Sequence, residues 1–424
     1  MGTINATSGV GTAILERGRT YDWPPVVILN MFYTGLGIAR QLSGKGIRVI
    51  GLSAEPKIYG NFTRLCEVRS APNSRDDPKG LAEFLLRSTD LDGAVVFPTR
   101  DADVMFLDDF RSELQRKYCL AIPPVDCLHR TIDKHQLTSI ARNVGIPVPR
   151  TLQLCSSQDL NRVANEVGFP CVLKPVSSFQ WHLGDAWQRV GARKAIRIDD
   201  GESLQREYEQ VSGATSEVLV QEWIPGDVDH LVVVGGYVDE RSELVSHFTA
   251  RKILQSPNDC GTGCIIRSEP LEEIVEPSRR LFRALQYQGI AEVEYKYDVR
   301  TGEHKLIEIN TRHWDQHQLG EASGVNLSWI AYCHLTGRSL PEPKERVAVA
   351  TWIAEDALLM RLIRSLVNPE LRVAHLRAKL SGRRTYAIFA TSDPLPFCRY
   401  FLGTMVPNLA RKLFNHFGDY FLRS

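Results

Sequence analysis

The sequence predicts an α/β (α+β) protein, on three observations. Residues 26–53 run strand, glycine turn, helix, strand: VVILN, a turn at Gly35 to Gly37, IARQLSGKG and IRVIGLS, which is a mononucleotide-type α/β unit. A second helix and strand follow, LAEFLLRSTD and GAVVFPT. Far downstream, GIAEVEYKYDVRTGEHKLIEINTR at 289–312 alternates apolar and polar residues around a polar turn and reads as a β-hairpin.

Length and composition set the frame. A chain of 424 residues holds about two to four packed units by length alone. With 43% apolar and 24% charged residues it is an ordinary globular composition, and a formal charge of +1 points to no nucleic-acid partner. The nine cysteines are scattered without paired spacing, which suits a reducing cytoplasm. Cys260 and Cys264 lack the second pair a zinc site needs, and His313 and His317, although at helical ligand spacing, lack a third ligand. Residues 1–24 carry no basic start and apolar run and are expected to be a flexible leader, and no apolar stretch approaches membrane-spanning length.

In the first unit, 25–125, no acidic residue closes the second strand where a dinucleotide ribose needs one, except Glu55, so an NAD site is rejected. The second strand region ends at Thr99, Arg100 and Asp101; the carboxyl end of a parallel strand is where open sheets bind ligands, so Arg100 is a candidate for an anionic substrate group. Its alternative is a surface loop anchored by an Arg–Asp pair. The prolines of AIPPVDCLHR mark the boundary to a module over 126–340.

That module opens with TIDKHQLTSIARNVGIPVPRT, a helix stopped by Gly145 and Pro147. In GFPCVLKPV, Lys174 sits inside an apolar strand, where its ammonium is costly unless it finds an anion, so a phosphate is its expected partner. GESLQREYEQ is a helix, and VLVQEWIPGDVDH a strand that bends at Pro225 and Gly226. ELVSHFTARKIL ends on Arg251 and Lys252, a cationic pair able to neutralise a γ phosphate, and the turn at 261–263 can offer amides to an anion.

In the late hairpin, alternation puts Glu308, Asn310 and Arg312 on one face, with Glu294 on the neighbouring strand within reach of Glu308. Two carboxylates and an amide oxygen suit a hard divalent cation, Mg2+ or Mn2+, which keeps few protein ligands beside phosphate oxygens. Arg312 would face those phosphates. The alternative is a hairpin whose outer face is merely charged.

These motifs, VEYKYD and LIEINTR above all, resemble the ATP-grasp superfamily in the order that family requires over about residues 25 to 340. The resemblance implies an ATP-grasp fold with an N-terminal Rossmann-like domain that helps bind the non-nucleotide substrate, a mobile lid at about 150–220 and a C-terminal extension over 341–424. It implies that Lys134 and Lys174 reach the nucleotide phosphates. The backbone of Gln221, Glu222, Trp223 and Ile224 would pair with adenine, and Asp229, with Asp227 competing, would hold the ribose. Gly184 and Gly191 would hinge the lid; the segment has less glycine than the family usually shows, which leaves contacts by Gln180 or His182 open. The implied reaction is ATP-dependent activation of a carboxylate as an acyl phosphate, attacked by an amine, with Arg312 and Arg251 at the transferred phosphoryl. Within the superfamily the chain looks most similar to carboxylate–amine ligases of the D-aspartate ligase kind. A phosphotransferase and a non-catalytic nucleotide-binding regulator are the alternatives. The basic and aromatic mix of LGTMVPNLARKLFNHFGDYFLRS suits an oligomer contact, such as a homodimer, or a domain contact, and second a membrane-surface helix.

Overall fold

The computed structural model describes residues 23–176, 181, 186–191, 193–212, 218–256, 261–342, 349–367 and 382–407. Gln180, His182, Gly184 and Cys260 lie outside these residues.

The first sheet is built from β1 (Val26–Leu29), β2 (Val49–Ser53), β3 (Glu67–Ser70), β4 (Val95–Phe97) and β5 (Cys119–Leu120). All are parallel, in the order β3-β2-β1-β4-β5. β1 and β4 are buried along their whole length, as continuous Val/Ile/Leu/Phe runs require when helices cover both faces. The order reverses between β1 and β4, so the chain leaving them, at Asn30 and Thr99, borders the crevice where such sheets bind ligands.

Gly35 and Gly37 do not form the expected turn. The helix already starts at Tyr33 and runs to Leu42, so both glycines lie inside it. Close approach explains them: a Cβ on Gly35 would stand 2.0 Å from the Asn30 carbonyl oxygen, and one on Gly37 would stand 2.6 Å from the His317 ring.

A second, antiparallel sheet forms the lid region. It contains β6 (Thr151–Leu154), β7 (Cys171–Pro175), β8 (Ile196–Ile198) and β9 (Val218–Glu222), in the order β6-β9-β7-β8. Leu204 and Tyr208, four residues apart on the helix Gly201–Ser212, pack on it with Val163 and Trp181.

The third sheet carries seven strands. They are β10 (Leu231–Val238), β11 (Leu244–Ser256), β12 (Thr262–Ser268), β13 (Gly289–Asp298), β14 (Glu303–Asn310), β15 (Ala350–Ile353) and β16 (Arg383–Tyr386), in the order β14-β13-β10-β11-β12-β15-β16. The helix Glu272–Leu285 buries Ile274, Val275, Leu281, Phe282 and Leu285 against it.

Residues after the PEPKE stretch thus extend the sheet they follow, β15 pairing antiparallel with β12. The chain then returns to the first sheet. Asp393, buried, accepts hydrogen bonds from the Thr63 hydroxyl at 2.8 Å and the Arg64 amide at 3.3 Å. Tyr400 meets Tyr59 edge-on at 5.8 Å, and the Tyr33 hydroxyl bonds Asp356. On the outer side of the last helical turns Phe401, Leu402 and Val406 are exposed; residues 408–424 lie beyond the described ones. Among the described residues no helix is long and apolar enough to cross a membrane, and eight cysteines are free thiols.

Candidate functional site

One cleft of about 1130 Å³ runs between the three sheets. That exceeds the roughly 300–1,000 Å³ of a single small-molecule pocket and leaves room for a nucleotide beside a second reactant. Its walls include Arg100, Lys134, Lys174, Gln221, Glu222, Trp223, Ile224, Asp227, Asp229, Glu294, Glu308, Asn310 and Arg312. Every expected site residue is therefore at this cleft except Arg251.

The cation cluster comes from strand register. Glu294 on β13 stands directly opposite Glu308 on β14, and Glu292 directly opposite Asn310. Like charges facing each other across a pair destabilise a sheet unless a cation intervenes. A bulge after Glu294 leaves Ile307 without a cross-strand partner and puts it in the cleft wall beside Glu308. Asn310 donates to Glu292 at 2.8 Å, and Glu294 takes a short, buried hydrogen bond from Lys252 of β11.

Burial pushes the Glu292 carboxyl up to about 8, with neighbouring Lys252 opposing and Glu294 reinforcing the rise. Burial alone would lower the Lys252 ammonium, but Glu294 and Glu292 outweigh it and hold it above its ordinary value. Among the described residues no three His, Cys, Asp or Glu side chains gather closely enough to hold a metal by themselves. The facing carboxylates and the amide nonetheless form an all-oxygen donor set that fits magnesium or manganese completed by phosphate oxygens.

The phosphate side is lysine-rich. Lys174, on β7, donates to Gln221 of the adjacent β9 at 2.6 Å, and Gln221 in turn donates to Thr151. Lys134 follows the N-cap Asp133 of its helix and reaches the Pro175 carbonyl at 3.3 Å, next to Lys174. Burial lowers the Lys134 ammonium, while Glu308 and Asp101 pull the other way.

Arg251 is a correction. Alternation along β11 puts Lys252 in the cleft and turns Arg251 to the opposite face, where it pairs with Glu269 at 2.9 Å and donates to the Asp229 carbonyl at 2.7 Å. Its neighbour Lys252 holds the place facing the acids.

Arg312 pairs with Asp101 at 2.7 Å, joining the hairpin to the first sheet. Burial pushes the Asp101 carboxyl up, but Arg312, with Lys194 and Lys134, outweighs it and holds the group below its ordinary value. Arg100 lines the cleft and also makes the alternative Arg–Asp pair, to Asp103 at 3.0 Å, with Ser74 as a further partner. Its Nε is buried without a partner.

At the end of β9 the Glu222 side chain is structural. It accepts from Arg300 at 2.7 Å and Lys305 at 3.3 Å, both from the end of the β13–β14 hairpin, and from the Arg150 amide at 3.1 Å. Its backbone N–H is also engaged, donating to the Arg150 carbonyl at 2.8 Å. Trp223 stands between the Arg197 guanidinium, 4.8 Å from its ring centre, and the Lys296 ammonium at 5.1 Å. Asp227 and Asp229 both border the cleft, so the choice between them stays open.

Glu292 and Lys252 lay within the signals of the sequence: Glu292 is two residues before Glu294 on the same strand face. Arg361 had no such signal. It comes from the helix Glu355–Val367, lines the cleft and donates to the Gln255 carbonyl at 3.0 Å. Lys194, from the lid, reaches Thr262 at 3.0 Å; the expected turn at 261–263 is instead the start of β12, where Thr262 and Gly263 pair with Ser256 and Gln255 of β11. His313 and His317 are buried behind the site, bonded to Ser328 at 2.9 Å and the Trp314 carbonyl at 2.7 Å.

Comparison with known proteins follows this geometry. Residues 261–342 match the family model of the carbamoyl-phosphate synthase L chain, ATP-binding domain. A curated relative, the D-aspartate ligase of Enterococcus faecium, is 27% identical over 237 residues, covering 54% of this chain and 55% of that protein. The chain spans about half the length of the curated relatives it matches. The biotin carboxylase of Campylobacter jejuni, solved as a β,γ-ATP complex, superposes with a TM-score of 0.62 at 16% identity, over 78% of this chain and 75% of that one. An L-amino acid ligase from Bacillus licheniformis does so at 0.53 and 16%, over 76% and 75%. With its Rossmann-like sheet, lid sheet and acid-bearing hairpin around one cleft, the chain has the ATP-grasp fold.

Proposed function

We propose that the chain is an ATP-dependent carboxylate–amine ligase that works through an acyl phosphate and releases ADP and phosphate. The observation that carries this reading is the single cleft in which Lys134 and Lys174 stand with Glu294, Glu308, Asn310 and Arg312, and which continues to Arg100 of the first sheet. In the first step a substrate carboxylate oxygen takes the γ-phosphoryl of ATP and ADP leaves. In the second an amine forms the C–N bond, the C–O bond to phosphate breaks, and the amine gives up a proton.

In this reading Lys134 and Lys174 bind the phosphates, and Lys252 and Arg312 stabilise the moving charge. Backbone groups of Gln221 to Ile224 orient adenine, Asp229 or Asp227 the ribose, and Arg100 an anionic group of the second reactant. Glu294, Glu308 and Asn310 would hold Mg2+ or Mn2+, which supplies charge neutralisation between phosphates. The relatives' names point to an amino acid as one reactant. The free thiols support a cytoplasmic setting. A homodimer, and contact of the apolar last turns with a membrane surface, are secondary proposals open to sedimentation and vesicle binding.

The deciding experiment measures ADP and phosphate release against a panel of carboxylates, with and without amines. Release of both products that requires an acid and an amine together is expected. Substrate-dependent ADP without phosphate would identify a phosphotransferase instead, and nucleotide binding without turnover under any pairing a regulator.

A further inference from the structure

Glu292 has no place in the reading above, and its surroundings make it expensive. It is 3% exposed, one of its carboxylate oxygens, Oε1, has no hydrogen-bond partner among the described residues, and it stands two residues from Glu294 on the face that also carries Glu308. Fold stability alone would favour an apolar residue at this buried strand position, since a third carboxylate adds desolvation and repulsion. What Glu292 does hold is Asn310: directly opposite in register, the Asn310 Nδ2 donates to Glu292 Oε2 at 2.8 Å.

We propose that Glu292 is a positioning residue that fixes the amide of Asn310 with its oxygen turned to the cation, an inference that rests on the cation site described above. The Glu292 Oε2 that accepts from Nδ2 engages the NH2 end of the amide and leaves its oxygen as the free end. The amide torsion of asparagine is broad and roughly two-fold. Without Glu292 the side chain presents NH2 to the cation in part of the population, and a donor facing a cation repels it. Partners that orient metal ligands are generally worth about 10- to 100-fold in metal affinity.

The test is Mn2+ binding to the full-length protein in the presence of ADP, read by the EPR signal of free Mn2+. Glu292→Leu is expected to weaken Mn2+ binding about 10- to 100-fold. Glu292→Gln, which keeps an oxygen acceptor for Nδ2, should stay close to wild type, and Glu292→Leu should add nothing on an Asn310→Ala background. ADP affinity measured in EDTA reports that the nucleotide site persists; should the leucine variant fail to fold, Glu292→Ser takes its place with the same expectation.

An unchanged Mn2+ affinity in the leucine or serine variant overturns the proposal. So does a glutamine variant as weak as leucine, which would make the carboxylate itself a ligand, and so does additivity with Asn310→Ala. If the wild-type protein binds no Mn2+ with nucleotide present, the cation site itself is wrong and this inference falls with it. Wild-type binding with no effect at 292 sinks the inference alone.

Discussion

Lys252 and Glu294 form a buried ion pair across the central sheet, with β10 lying between their strands. The lysine supplies the positive charge that the facing Glu294 and Glu308 need when nothing else does. Lys252→Met should therefore cost on two counts. It leaves a buried carboxylate without its partner, worth about 3–5 kcal/mol in thermal or denaturant unfolding. It should also slow substrate-dependent ADP release by about 10²-fold or more. Arg251→Gln, on the other face, is expected to leave that rate near wild type; equal losses in the two variants would refute the assignment of faces.

Glu308→Gln removes a ligand's charge and almost no volume. Turnover should fall by about 10²-fold or more while the unfolding midpoint hardly moves. Activity unchanged at limiting magnesium would count against Glu308 as a ligand.

Lys174→Met takes the ammonium from beside Gln221 while keeping most of the aliphatic stem. A charged hydrogen bond to phosphate is worth about 1.5–3 kcal/mol, so the ATP dissociation constant should rise roughly 10- to 100-fold. Calorimetric titration checks this, and an intact affinity would mean that the phosphates lie elsewhere.

Acid should loosen the ion pairs around Glu222. Hydrogen bonds from Arg300 hold the Asp298 carboxyl far below the usual carboxylate range, with burial opposing and Lys305 assisting. Burial also raises Glu222, but the Arg150 amide, Lys305 and Arg300 outweigh it. A depressed folded-state value contributes stability above the unfolded value, about 3.9 for Asp, and loses it as pH falls toward the folded value. Wild-type protein should lose stability progressively below about pH 4, and Asp298→Asn should be less stable at pH 7 and lose less over that acid range. Unfolding midpoints of both proteins from pH 7 to pH 3 test this; parallel curves would contradict it.

Much of the site was legible because a strand has a period of two. Glu308, Asn310 and Arg312 share a face by counting alone, and Glu292 was reachable by the same count backward from Glu294. Arg251 and Lys252 are adjacent, and only the register of β11 with its neighbours says which of them looks into the cleft. Gly35 and Gly37 look like a turn in sequence because what they make room for, the Asn30 carbonyl and the His317 ring, is set by tertiary contact. β15 and β16 are four residues each; β15 pairs with β12 far upstream, which no local pattern announces, and β16 then pairs with β15.

The return of the last segment to Thr63 and Tyr59 divides the molecule mechanically. The first and third sheets are tied twice, through Arg312 to Asp101 and through Asp393 of the last segment to Thr63. The lid sheet meets the third sheet through Arg300 and Lys305 to Glu222 and through Lys194 to Thr262. In the proposed reaction the sheet that carries Lys174 would be the part left to move, while Arg100, Glu294, Glu308 and Arg312 would stay on the joined part.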